Sequence, residues 1–321
     1  MNFFKIVKSI SLLMVIAFIS IYMSACNGNS VSTTETDNGY LTSVVNAGVG
    51  SGNTEEGDLM TSESSDLDDG GAVSDNGNND PISNLQKWGR KVLNVDVNVS
   101  ITDQGDTLKN VLVTRTITGN YIIIGTVNGQ VQTITKPYTE VLTRTLVFKR
   151  IARTPYPHYN WKLYQISMVN GKTTSPQVGT DNITINSIAV LVNGVPTYTF
   201  QGPDFTQNIF TTKYFGGTGI PRIDRNTQVT LIVTLNSNQS DTDYVAWHWC
   251  RNTFGFHRIP FVLISQNGQT KVYQKTFNIY ANHNIGVFNG FISANTHSSL
   301  FDSNPALFSS TTVGTVYRVT Q

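Results

Sequence analysis

From about Leu85 onward, apolar and polar residues alternate in short runs. The clearest run covers 92–101. Leu93, Val95, Val97, Val99 and Ile101 fall on one face, and Asn94, Asp96, Asn98 and Ser100 on the other. A period of two predicts a half-buried strand, because successive side chains of an extended chain point to opposite sides. Further strands are predicted over 111–117, 121–127, 131–135, 141–151 and 161–168. Gly105, Gly119-Asn120, Asn128-Gly129 and Asn170-Gly171 read as the turns between them, since Asn and Gly tolerate the positive φ of tight hairpins. A second series of strands is predicted over 183–192, 229–235, 244–250, 259–264, 271–279, 285–294 and 315–319. No stretch from Leu85 onward sustains a helical period. The expected class is all-β.

The polar run TTSPQVGTD, 173–181, suggests a boundary. The expectation is two β-sandwich-like modules, 85–180 and 181–321. By strand number and patterning the second resembles an immunoglobulin-like or fibronectin-type sandwich. It lacks the Cys…Trp…Cys spacing of true immunoglobulin domains, because Cys250 stands alone in that half. Two cysteines in 321 residues also exclude a disulfide scaffold and a four-cysteine metal site.

The N-terminus has the form of a targeting segment. Lys5 and Lys8 precede a mostly apolar run over 10–23, shorter than the ~20 residues a spanning helix needs. Met23-Ser24-Ala25-Cys26 follows. This resembles the lipobox of bacterial lipoproteins, with Met23 in place of the usual Leu, Val or Ile. The resemblance implies removal of residues 1–25 as a signal peptide and a covalent diacylglycerol or acyl lipid, such as palmitate, on Cys26. It implies a membrane partner through that anchor and a place in the bacterial cell envelope. Asn27 is not the aspartate that resembles an inner-membrane retention signal, which points to the outer membrane.

Residues 26–84 are rich in Ser, Thr, Asn, Asp and Gly, hold 11 acidic residues and contain no Lys or Arg. Such a composition buries too little apolar surface to offset the entropy of ordering, so a disordered tether is expected. Asp66 to Gly70 and Asp75 to Asp80 look faintly like calcium loops, but no downstream glutamate completes them. The formal net charge of +1 therefore sums unlike parts. The signal segment carries +2, the tether −11, and residues 86–321 carry +10 from 20 Lys and Arg against 10 Asp and Glu. A basic head on an acidic tether favours anionic partners, and its own tether is one of them.

Candidate binding residues follow from that charge. Arg144, Lys149, Arg150 and Arg153 lie within ten residues and precede Tyr156, Tyr159 and Trp161. Cations of this density suit an anionic polymer, and the rings suit stacking on sugars. Phe215 opens a glycine-rich loop, 215–222, that lacks the strand–helix grammar of a phosphate loop. His248, Cys250 and His257 offer an incomplete zinc set, and 244–250 reads more simply as a strand apolar on both faces. His297, Asp302 and Ser298 or Ser299 suggest a hydrolase triad, without the strained elbow that a nucleophile requires. The sequence therefore reads as a non-enzymatic surface lipoprotein with no catalytic residues, no metal and no cofactor beyond its lipid. Its expected role is binding, adhesion or envelope assembly. Its expected partners are anionic polysaccharide or other envelope proteins, with no specific nucleic acid. A carbohydrate-binding accessory role is the alternative, and an envelope hydrolase or metal-dependent enzyme a more distant one.

Overall fold

The computed structural model describes residues 35–46, 68–69, 80–176, 182–250 and 256–321. The signal segment, Cys26 and both calcium-like fragments, apart from Asp68, Asp69 and Asp80, lie outside these residues. In chain order the elements are α1 (Asp37–Asn46), β1 (Asp68–Asp69), β2 (Ser83–Gln104), β3 (Leu108–Val127), β4 (Gln130–Arg150), α2 (Pro157–Asn160), β5 (Trp161–Ser167), β6 (Val169–Ser175), β7 (Ile183–Val192) and β8 (Val195–Gln201). Then come β9 (Ile209–Thr211), β10 (Arg222–Asp224), β11 (Gln228–Ser237), β12 (Tyr244–Cys250), β13 (Phe256–Pro260), β14 (Val262–Asn267), β15 (Thr270–Asn278), β16 (Gly286–Asn295), α3 (His297–Phe301) and β17 (Ser310–Thr320). The fold is all-β, as the alternation predicts.

Strands β2, β3 and β4 form an antiparallel meander of 22, 20 and 21 residues. Typical strands have about 5–6 residues. The turn at Asn128-Gly129 has positive φ at both residues, 50° and 77°, as its sequence predicts. Gly119-Asn120 is not a turn: β3 runs straight through it. The glycine is there for space, since a Cβ at Gly119 would lie 2.8 Å from the Tyr138 hydroxyl and 2.6 Å from the Lys91 carbonyl. Asn170-Gly171 likewise lies inside β6. Leu93 leaves the apolar face expected for it, because a bulge shifts the β2–β3 register between Val92 and Asn94 and leaves Leu93 exposed.

The larger sheet runs β1-β2-β3-β4-β6-β17-β16-β12-β13, with β5, β9 and β10 attached at its sides. The smaller runs β14-β15-β11-β7-β8. Pairing of β6 with β17 joins strands from both sides of residue 180, so the division between sheets does not follow that position. Met168, Trp247, Ile292 and Tyr317 face Val190, Leu231 and Phe277 of the small sheet around an apolar cavity. This is sandwich packing, each sheet burying one row of alternating side chains.

A buried ion pair stands at one end of the sandwich. Lys271 of β15 lies 2.8 Å from Asp243, with both side chains fully buried. Asp243 also accepts from Ser237 Oγ at 3.0 Å. The Asp243 N–H donates to the Tyr273 hydroxyl at 2.9 Å.

Parts of the expected tether are folded onto the head. In α1, Leu41 and Val45 are buried at a spacing of four, one face of a helix. The carboxylate of Asp37 lies 2.7 Å from Arg150, and the Lys109 ammonium donates to Asn38 at 2.8 Å. Farther on, Ile82 is buried and its N–H donates to the Phe301 carbonyl. The acidic composition that argues for disorder is also what complements the basic head.

Candidate functional site

The segment 151–160 leaves β4 and returns through α2 to β5. Asn160 staples it. The Asn160 side-chain oxygen accepts from the Thr154 N–H at 2.7 Å and the Thr154 hydroxyl at 2.9 Å, and its amide donates to the Thr154 carbonyl at 2.8 Å. Pro155 and Pro157 fix two further φ angles. The stapled loop holds a ring cluster outward. Tyr156 is 60 % exposed and Tyr159 58 %. Their rings meet edge to face at 6.2 Å, and His158 lies 3.9 Å from Tyr159. Tyr40 of α1 approaches His158 at 6.5 Å, so the docked helix extends this surface. Arg153 is exposed beside it, 3.7 Å from the equally exposed Asp106.

The remaining candidates are distributed otherwise. Trp161 is 2 % exposed, covered by the Arg150 guanidinium at 4.7 Å and by Lys109 at 5.4 Å. It braces the loop from beneath and offers no open face for stacking. Arg144 points to the buried face of β4. Arg150 is engaged by Asp37. Lys149 is exposed and lies over Tyr164 at 5.3 Å and Phe215 at 5.6 Å. Thus Tyr156, Tyr159 and Arg153 share one surface, Lys149 and Phe215 share another, and Trp161 and Arg144 are interior. The glycine-rich loop folds back on itself, with the Gly217 N–H donating to Thr212 and Arg222 to the Gly217 carbonyl.

The enzyme-like constellations separate. His297 donates from Nδ1 to the Thr242 carbonyl, and its Nε2 lies 3.0 Å from Asp80. Ser298 Oγ lies 3.3 Å from Thr296 Oγ1, and Ser299 is bonded to Thr296 and Ser309, so both serine hydroxyls are engaged away from His297. His248 lies inside β12, bonded to Ser293 at 2.7 Å and stacked on Phe291 at 4.2 Å. The side chains of Cys250 and His257 lie outside the described part. Among the described residues no group of three metal-ligating side chains converges.

A polar lumen was not legible in the sequence. Alternate residues of β2, β3, β4, β6, β17, β16, β12 and β13 line one cavity of about 40 Å³, counted as space open to the centre of a water molecule. Eight strands in sheet order facing one cavity describe a curled, nearly closed barrel. Its first and last strands meet where Arg258 of β13 lies 3.4 Å over the Trp88 ring of β2 and donates to the Trp88 carbonyl. Inside, Arg90 pairs with Glu140 at 2.9 Å, and Thr312 donates to the same carboxylate at 2.7 Å. Burial pushes the Tyr138 phenol up to about 12 and the Tyr121 phenol well above its usual range. Burial, reinforced by Arg258 and Arg90, holds the His248 imidazole well below its usual value and therefore neutral. The available signal was the polar inward row of β4, Lys136, Tyr138 and Glu140, which reads like a solvent face.

Compared with models of known protein families and with curated protein sequences, the chain matches none of them.

Proposed function

We propose that this chain is a non-catalytic binding protein of the bacterial cell envelope, lipid-anchored at Cys26 and held at the outer membrane. It engages anionic surface polysaccharide through the Tyr156–Tyr159 ring cluster. The observation that carries the reading is an exposed, stapled pair of tyrosines beside Arg153. Rings held in place lose little entropy on binding, and their faces suit sugar C–H groups. The head's charge of +10 draws an acidic polymer toward them. Co-sedimentation with purified envelope polysaccharide tests the contact: the native chain should sediment and the Tyr156→Ala/Tyr159→Ala variant should not. Lipid labelling tests the anchor, which Cys26→Ser should abolish.

Assembly with another envelope protein is the second reading. It rests on β2, whose outer edge over 94–104 has no neighbouring strand among the described residues. An open edge can accept a partner's strand through main-chain hydrogen bonds.

A further inference from the structure

The surface around Lys149 takes no part in the polysaccharide contact. Lys149 of β4 and Lys162 of β5 stand directly opposite each other in the strand register, and both side chains are exposed. Cross-strand partners share a face of the sheet, and like charges set there repel unless an anion lies between them. Among the described residues neither lysine is paired with a carboxylate. Asp106, just ahead of β3, lies 3.7 Å from Arg153 instead. Rings pack around Lys149, whose ammonium lies over Tyr164 and Phe215. Phe215 meets Tyr164 edge to face at 5.0 Å and Tyr214 at 4.9 Å. Tyr214 is 66 % exposed, and Tyr164 and Phe215 are partly exposed. Tyrosines with an apolar body and a wet tip, set beside lysines, are the residue types that settle at the headgroup level of a bilayer.

The connectivity of the chain brings this surface to a membrane. Arg150, the neighbour of Lys149, pairs with Asp37 of the docked α1. Asp37 lies eleven residues after Cys26. With Cys26 lipid-anchored, as proposed above and as this docking requires, those residues reach at most about 40 Å when fully extended. Docked α1 therefore leashes this end of β4 close to the bilayer. We propose that Lys149, Lys162, Tyr164, Tyr214 and Phe215 form a surface that docks the head on an anionic phospholipid bilayer. The ammoniums meet lipid phosphates, and the rings enter the headgroup layer. The leash makes the contact intramolecular, so a surface that is weak in free solution suffices. The exposed tyrosines of the 151–160 loop are not part of it.

Vesicle flotation of the Cys26→Ser protein tests the surface without the anchor. It should float with phosphatidylglycerol vesicles more than with phosphatidylcholine vesicles, and high salt should release it. A lysine near an anionic leaflet is worth about fivefold in affinity, so Lys149→Gln/Lys162→Gln should bind phosphatidylglycerol about twentyfold more weakly. That variant changes only exposed side chains, and an unaltered denaturant midpoint confirms its fold. Tyr214→Ala/Phe215→Ala should also weaken flotation, and Tyr156→Ala/Tyr159→Ala should leave it unchanged. The docking is overturned if the glutamine variant floats like its parent, or if both kinds of vesicle bind equally. It is equally overturned if the glutamine variant floats normally but no longer sediments with envelope polysaccharide, which would assign the lysines to the polymer. Lipid labelling of the native chain reads the anchor separately, so failure of the anchor and failure of the surface are distinguishable.

Discussion

Arg258 lies flat on Trp88, 170 residues away in the chain, and holds together the first and last strands of the curled sheet. The contact joins a cation–π stack to a charged hydrogen bond onto a backbone carbonyl. Arg258→Ala should therefore destabilise the protein by about 2–3 kcal/mol, read from the denaturant midpoint, and shift tryptophan emission to the red. Arg258→Lys should restore little, because an ammonium lacks the planar face that stacks.

The Asp243–Lys271 pair should behave as buried pairs do when one partner is lost. Asp243→Asn leaves a fully buried ammonium without its counter-charge and should cost about 3–5 kcal/mol in chemical denaturation. Removing both charges in Asp243→Leu/Lys271→Met should recover most of that loss.

Lys136 gives the head a pH signature. Its ammonium is buried and donates to the carbonyls of Ser298 and Leu307. Burial lowers its pKa from 10.5 to about 8, with Asp302 opposing the shift. Below about pH 8 the group is charged in both states, and the cost of burying it is present in full. Above that value the folded chain releases a proton that the unfolded chain still holds. Stability should therefore rise between pH 8 and about 9.5 by about 2 kcal/mol relative to Lys136→Met. Beyond pH 10 the buried phenols Tyr121 and Tyr138, shifted upward by burial, reverse the trend, because the unfolded chain ionises first.

Docking of α1 should depend on its apolar face more than on its ion pair. Both Asp37 and Arg150 are partly exposed, so Asp37→Asn should cost at most about 1 kcal/mol of docking. Leu41 is fully buried, and Leu41→Ala should cost about 2–4 kcal/mol. Hydrogen exchange of the amides over 40–46 reads both effects directly.

Some of this was legible in the sequence and some was not, for identifiable reasons. Asn128-Gly129 and Asn193-Gly194 are turns because the chain needs positive φ at both residues there. Gly119-Asn120 shows the same letters without a turn, because that glycine makes room for the Tyr138 ring. Strand faces are readable where one side is apolar. On β4 the buried row includes Lys136, Tyr138, Glu140 and Arg144, so polarity alone assigns it to solvent. Leu41 and Val45 share one helix face, but two apolar residues in an acidic, polar stretch are too few to predict a docked helix. Trp161 belongs by residue type to the stacking cluster, and only the strand register of β5 places it beneath the loop. The lumen joins residues from 88 to 312, so strand order alone assembles it.

The most direct test of the account is the affinity of the protein for purified anionic envelope polysaccharide, measured by titration at low and high salt. The account predicts saturable binding that weakens with salt and falls at least about tenfold in Tyr156→Ala/Tyr159→Ala, with the fold intact. Equal binding by the native chain and that variant, unchanged in high salt, would contradict it.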